Sequence, residues 1–258
     1  MEVNKIYCGD CLKLMKKIPD NYIDLTVTSP PYDNLRTYKG YIFEFKGIAK
    51  ELYRIIKKGG VVVWVVGDAT INGSETGTSF RQALYFKEIG FNLHDTMIYA
   101  KNNPIILTHN RYEQQFEYMF IFSKGKPKTF NPIKILNKTA GNKKQWKRTT
   151  GYYKYENMAN RSRDEITIVK NEKNNFNIWY YNIGCKTGHP ASFPEKLAQD
   201  HIISWSNKGD IVLDPMCGSG TTCKMAKKNG RKYIGIDVSK EYCEIAERRI
   251  KAIPESLF

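Results

Sequence analysis

Apolar positions fall into short runs whose spacing alternates between that of strands and that of helices. Residues 3–7 and 24–28 read as strands, with a helix over 11–18 between them that Pro19 stops. Helical spacing over 43–56 ends at Lys57-Lys58-Gly59-Gly60, cations and glycines where a helix C-terminus favours them. Val61-Val62-Val63-Trp64-Val65-Val66 follows without polar alternation, so that strand is expected to be covered on both faces, as in a parallel sheet. A helix over 79–89 is closed by Gly90, and strands over 93–99 and 116–122 flank a polar loop. The alternation then breaks off in a lysine-rich stretch to which the pattern assigns no element. It resumes with a helix over 194–205, a strand over 211–213, a helix over 221–228, a strand over 232–236 and a helix over 240–250. This order predicts one α/β sandwich with an insertion, divided as 1–123, 124–184 and 185–258.

A chain of 258 residues suffices for one substantial core and an inserted segment. No apolar run approaches the length of a membrane span, and the N-terminus has no signal-peptide pattern, which points to the cytoplasm. The net charge is +15, and ten of those fifteen charges arise between Lys124 and Lys173, where 14 Lys or Arg meet 4 Asp or Glu. Trp146, Tyr152, Tyr153 and Tyr155 are interleaved with them, a mixture that suits phosphates and bases of nucleic acid. Cys8 and Cys11 have half the spacing of a zinc knuckle, but no second close pair completes it, and His189 and His201 form no recognisable site. No metal is expected. The six cysteines read as reduced thiols, with Cys217 and Cys223 packed against a glycine-rich turn.

That turn follows a buried strand: Asp214-Pro215-Met216-Cys217-Gly218-Ser219-Gly220-Thr221-Thr222. Its glycines admit positive φ and let the backbone approach a ligand. Asp237 ends the next strand, where a doubly wound fold places the acid that accepts from ribose hydroxyls; it also has the position of a helix N-cap. The Gly-Lys-Ser/Thr of a phosphate loop is absent, and an acid at the strand end disfavours a pyrophosphate but suits an amino group. S-adenosylmethionine, with an amino acid moiety, a ribose and no phosphate, fits better than a dinucleotide.

At the other end of the chain stands Ser29-Pro30-Pro31-Tyr32, directly after a strand. An aromatic amine is a poor nucleophile because its lone pair is delocalised into the ring. A site that methylates it must accept its N–H groups and hold the ring flat. Ser29 and the Pro30 carbonyl are acceptors, the prolines stiffen the turn, and Tyr32 offers a stacking face.

These motifs resemble those of the amino-directed DNA methyltransferases, which modify cytosine N4 or adenine N6. Ser29-Pro30-Pro31-Tyr32 is similar to the family's catalytic motif and the 214–222 segment to its S-adenosylmethionine motif. Gly235-Ile236-Asp237 resembles the ribose-binding motif, and Gly9-Asp10-Cys11 the segment placed against the adenine, with Asp10 suited to its amino group. Gly188-His189-Pro190-Ala191-Ser192-Phe193-Pro194-Glu195 resembles the segment covering the methionine end, and Asn110-Arg111-Tyr112-Glu113 one that lines the target-base pocket. The catalytic motif precedes the cofactor motif, as in the β-type subclass, with the basic stretch in the slot of the recognition region.

The resemblance implies a circularly permuted, mostly parallel, seven-stranded Rossmann-like sheet, in which 1–123 is the catalytic half, 124–184 the recognition insertion and 185–258 the cofactor half. It implies binding of S-adenosylmethionine by Asp10, Cys11, His189, Pro190, Phe193, Asp214, Pro215, Cys217, Gly218, Ser219, Gly220, Thr221 and Asp237, with S-adenosylhomocysteine as product. The expected reaction is direct transfer of the methyl group to the amine of a flipped base held by Ser29, Pro30, Pro31 and Tyr32. Ser29 is common among cytosine-N4 members and also occurs in adenine ones, so cytosine N4 is favoured and adenine N6 is the alternative. An RNA or protein-amine methyltransferase and a non-catalytic DNA-binding protein of the same fold are the rival readings. Lys143, Lys144, Lys147 and Arg148 are expected on phosphates of double-stranded DNA, and Arg161 and Arg163 on guanine edges. Arg36 either touches phosphate or pairs with Asp33, and Arg111 belongs to the base-pocket segment. Such an enzyme would be prokaryotic or phage-encoded, with a homodimer and a cognate restriction endonuclease as further partners and no membrane association.

Overall fold

The computed structural model describes residues 1–31, 33, 43–104, 110–145, 166–183 and 194–254. Strand β1 (Lys5–Cys8) leads into the short helix α1 (Cys11–Met15), followed by β2 (Ile23–Thr28), α2 (Phe45–Ile55) and β3 (Ile56–Val66). A small hairpin, β4 (Thr70–Ile71) with β5 (Ser74–Glu75), precedes α3 (Thr78–Glu88), β6 (Asn92–Lys101) and β7 (Phe116–Ser123). Within the basic stretch lie β8 (Lys134–Leu136), β9 (Lys143–Gln145), β10 (Ile166–Ile168) and β11 (Glu172–Asn174). The chain continues through β12 (Ile178–Tyr181), α4 (Glu195–Trp205), β13 (Ile211–Asp214), α5 (Thr221–Lys228), β14 (Lys232–Asp237) and α6 (Lys240–Lys251). Two compact units result, one of Met1–Asn131 with Asn177–Phe258, the other of Pro132–Phe176.

The larger unit is built on one sheet in the order β1-β14-β13-β2-β3-β7-β6-β12. Strands β1 through β3 are all parallel, β7 is antiparallel to both β3 and β6, and β12 is parallel to β6. The sheet thus has eight strands rather than the expected seven. The extra one is β12, whose Ile-Trp-Tyr-Tyr run has a single buried residue, Trp179, and so carries no periodic signal. Val61 to Val66 are buried on both faces as expected, although one neighbour is antiparallel. Helices α2 and α3 pack on β3 and on β6 and β7, whereas α4, α5 and α6 pack on β2, β13, β14 and β1. Phe86 of α3 stacks on Phe122 with ring centroids 4.4 Å apart, and Trp64 Nε1 donates to Gln82 Oε1 over 2.8 Å, so α3 is fixed to the centre of the sheet.

Lys57 to Gly60 do not close helix α2; they are the first part of β3. Gly59 sits at φ 84°, and a Cβ there would lie 2.3 Å from Lys128 Cγ. Its N–H donates to the Lys124 carbonyl and Lys124 N–H to the Gly60 carbonyl, so the glycines serve the approach of the chain after β7. Cations and glycines at 57–60 read locally as a helix end, and the sheet neighbour makes them strand instead.

In the smaller unit β8 pairs with β11 and β9 with β10, both antiparallel. Backbone bonds Asn137 N→Asn171 O, Gly141 N→Val169 O and Val169 N→Asn142 O connect the two pairs into one ribbon. Its register sets Ile135 opposite Lys173 and Ile168 opposite Lys143.

Candidate active site at the carboxyl edge of the sheet

Because β1, β14, β13 and β2 are adjacent and parallel, their carboxyl ends form one edge. Asp10, Asp237, Asp214 and Thr28 are brought to it from positions up to 227 residues apart. β13 and β2 pair directly, Val212 with Leu25 and Leu213 with Thr26. Just beyond that register, Thr28 Oγ1 donates to Asp214 Oδ1 over 2.8 Å, with the two residues 0% and 2% exposed. The ends of the two candidate motifs are therefore tied by a buried hydrogen bond. Burial pushes the Asp214 carboxyl up to about 6, despite bonds from the Thr28 hydroxyl and the Met216 N–H, and the nearby charge of Asp237 adds to the rise.

Beyond Asp214 the chain makes a tight turn with Gly218 at φ 49° and Gly220 at φ 78°. A Cβ on Gly220 would meet the Cβ of Ala246 at 2.7 Å, so the glycine is needed both for the left-handed backbone and for the approach of α6. Gly218 N–H donates to Asp237 Oδ2 over 2.8 Å, and Ser239 N–H donates to Asp237 Oδ1 over 2.8 Å. The N-cap of α6 is Ser239, not Asp237; Asp237 instead braces the glycine turn. Each of its oxygens has a second lone pair, and burial raises its pKa. Asp10 caps α1 by accepting from Lys13 N–H over 2.8 Å. Cys11, Cys217 and Cys223 are buried, and the last two crowd the space beside Gly235, where a Cβ would come within 3.1 Å of the Cys217 sulfur and 2.8 Å of the Cys223 sulfur. Pro215, Ser219 and Thr221 are buried in the turn and the first residue of α5.

S-adenosylmethionine fits this edge chemically. It carries an ammonium, a sulfonium and two ribose hydroxyls, and the edge presents three carboxylates and a left-handed glycine turn. Bound there, it supplies an electrophilic methyl group.

Ser29 and Pro31 are half-buried and Pro30 is buried. Tyr32 and Arg36 lie outside the described residues, as do His189, Pro190, Phe193, Lys147, Arg148, Arg161 and Arg163. Asp33 has φ 41°, and its Oδ2 accepts from Ala69 N–H over 3.0 Å and from the Thr76 hydroxyl. Arg111 donates through Nη2 to the Gly73 carbonyl in the β4–β5 hairpin, beside a fully exposed Tyr112. Lys143 is exposed on β9, and the Lys144 backbone pairs with Thr167.

Two further groups at the site had no local sequence signal. Arg249 of α6 donates through Nη1 to the Ser219 carbonyl (2.5 Å) and Ser219 Oγ (2.7 Å), and through Nη2 to Glu195 Oε1 (2.8 Å). Lys224 donates to the same Glu195 oxygen over 2.6 Å. Burial pushes the Glu195 carboxyl up, but Lys224 and Arg249 hold it below its ordinary value. This clamp joins the glycine turn to the first residue of α4. Asp33 is the other group; it stands next to the motif, but its partners are 36 and 43 residues away. Among the described residues no cluster of His, Cys, Asp and Glu could hold a metal ion, and no helix is long and apolar enough to cross a membrane.

The sequence model of a family described as DNA methylase, of the N6/N4 type, matches residues 23–248. The orphan methyltransferase M.BamHII of Bacillus amyloliquefaciens is 56% identical over 250 residues, 92% of each chain. Among solved structures, the cytosine-N4-specific PvuII DNA methyltransferase is 21% identical, with TM-score 0.71 over 98% of this chain and 93% of that one. The M1.HpyAVI–SAM complex is 22% identical, with TM-score 0.63 over 95% of this chain and 98% of the other.

Proposed function

This chain belongs to the N6/N4 DNA methylase family and is an S-adenosylmethionine-dependent DNA methyltransferase; within that activity we propose that its target is cytosine N4 and that Ser29, Pro30, Pro31 and Tyr32 receive the flipped base. The observation that carries the site assignment is the buried Thr28–Asp214 bond, which fastens the catalytic turn beside the cofactor turn. Ser29 Oγ and the Pro30 carbonyl accept from the exocyclic N–H groups and direct the nitrogen lone pair, and Tyr32 holds the ring. Ser29, the residue common in cytosine-N4 members, supports that base over adenine. The sheet order, with β13 flanked by β14 and then β1 on one side and by β2 on the other, supports the permuted reading of the fold.

DNA is held, in this reading, by the basic stretch, through Lys143, Lys144, Lys147 and Arg148 on phosphates and Arg161 and Arg163 on guanine. A two-stranded ribbon such as β8–β11 is an element that a major groove admits. The enzyme acts in the cytoplasm. The designation of its Bacillus relative as orphan favours a free-standing methyltransferase over one paired with an endonuclease.

The test is incubation with S-adenosylmethionine and mixed-sequence duplex DNA, followed by nucleoside mass analysis. N4-methylcytosine is expected. N6-methyladenine would move the assignment to adenine, and methyl groups on RNA or protein but not DNA would overturn it. Ser29→Ala and Tyr32→Ala should each remove methylation and leave S-adenosylmethionine binding intact. Loss of cofactor binding would mean that the two halves are assigned the wrong way round.

A further inference from the structure

We propose that Asp33 is a positioning residue for methyl transfer, fastening the chain just beyond Ser29-Pro30-Pro31 to the loop after β3 through the Ala69 N–H and the Thr76 hydroxyl. The proposal rests on the reading of the turn at Ser29 as catalytic. The turn begins at Thr28, which is held by its buried bond to Asp214. It ends at Asp33, held 36 and 43 residues further along the chain by Ala69 and Thr76. Pro30 and Pro31 stiffen the span between these two anchors. Asp is one of the few side chains suited to both demands at this place, because it tolerates the left-handed φ of 41° and offers a carboxylate.

The allocation of protons supports the anchor. Thr76 Oγ1 lies between two carboxylates, in hydrogen-bond contact with Asp33 Oδ2 and 3.3 Å from Asp68 Oδ1. A hydroxyl has a single proton to give. Asp68 is already served by Ser79 N–H at 2.8 Å and by the Ser79 hydroxyl, so the Thr76 proton goes to Asp33. Asp68 in turn holds the first turn of α3, whose N-cap Gly77 supplies no side-chain cap. Thr76 N–H donates to the Ala69 carbonyl over 2.9 Å, which keeps the Ala69 and Thr76 donors to Asp33 in one frame. The catalytic turn is thereby referred to α3, and through Phe86 to the core. Burial pushes the Asp33 carboxyl up, but bonds from Thr76, Thr78 and Ala69 and the charge of Arg81 hold it below its ordinary value, so it is ionised at neutral pH.

The test is steady-state methylation by Asp33→Ala, Asp33→Gly, Asp33→Asn, Thr76→Val and Thr76→Ser, with S-adenosylmethionine affinity and Tm measured on each. A displacement of about 1 Å in the reacting groups costs on the order of 100-fold in rate. Asp33→Ala and Asp33→Gly are therefore expected to lower kcat by about that factor while the KM for DNA and the cofactor affinity stay unchanged. Thr76→Val should show a smaller loss in kcat, and Thr76→Ser should restore it by returning the hydroxyl. Asp33→Asn keeps one acceptor oxygen for the Ala69 N–H and the Thr76 hydroxyl and should therefore retain most of the kcat that Asp33→Ala loses. Recovery in Asp33→Gly but not in Asp33→Ala would assign the effect to the backbone and overturn the anchor, as would parallel losses of Tm and cofactor binding. If Ser29→Ala keeps its activity, the catalytic-turn reading and this proposal fall together. If Ser29→Ala is inactive and Asp33→Ala retains wild-type kcat, the anchor alone falls.

Discussion

Replacing Asp214 by Asn removes a buried titratable group and keeps its shape. The carboxyl is 2% exposed, and its pKa lies at about 6 against an ordinary 3.8. The folded protein therefore holds this proton more tightly than the unfolded chain. The contribution to stability is complete below pH 3.8 and is lost as the pH rises through about 6. Each pKa unit corresponds to about 1.4 kcal/mol, so the wild type carries a penalty of about 3 kcal/mol at pH 7 that it does not carry at pH 3.8. In Asp214→Asn the amide oxygen takes over the bonds from Thr28 Oγ1 and Met216 N–H. The amide nitrogen takes the place of Oδ2, which neither of those bonds uses. Urea unfolding of both proteins from pH 4 to 7.5 reports this group together with the part of the Asp237 titration that is coupled to it, because the other titrations are shared. The variant is expected to gain about 3 kcal/mol on the wild type across that range, equivalent to roughly 6 to 12 °C in Tm. Stability curves that run parallel over the whole range would refute the reasoning.

Gly220→Ala places a Cβ 2.7 Å from that of Ala246 on a backbone at φ 78°, so the left-handed strain and the overpacking act together. A loss of roughly 2 to 5 kcal/mol in unfolding free energy is expected; an effect below 1 kcal/mol would show that α5 and α6 move apart freely. Arg249→Ala removes the bonds to Ser219 and Glu195 and should weaken S-adenosylmethionine binding measured by calorimetry. Arg249→Lys should recover little, because one ammonium does not reproduce the two-nitrogen fork; wild-type affinity in the lysine variant would dismiss the clamp.

Much of the fold can be read locally, and the exceptions have identifiable causes. The run from Val61 to Val66 and the helices over 195–205 and 221–228 bury faces that their own spacing marks out. Strand β12 escaped because one buried residue in four makes no period, and Lys57 to Gly60 because cations and glycines suit a helix end and a strand start alike. At the site, Gly218, Gly220, Asp214 and Asp237 were legible because strand–turn–helix spacing constrains them. The clamp of Glu195 by Lys224 and Arg249 and the partners of Asp33 were not, since these bonds span 29 to 54 residues or join loops of unremarkable composition.

The sequence by itself determined which groups the chain offers: hydrogen-bond acceptors in Ser29 and Pro30, and carboxylates beside a glycine turn in Asp214, Gly218, Gly220 and Asp237. It also determined that an acid would end each of two strands. Only the tertiary structure decided that these groups share one edge. The parallel pairing of β2 with β13 sets Thr28 against Asp214 across 186 residues of chain. Local propensity shapes each strand and turn, but which strands become neighbours is set by burying both faces of the sheet at once. That long-range packing converts a list of reactive residues into a site.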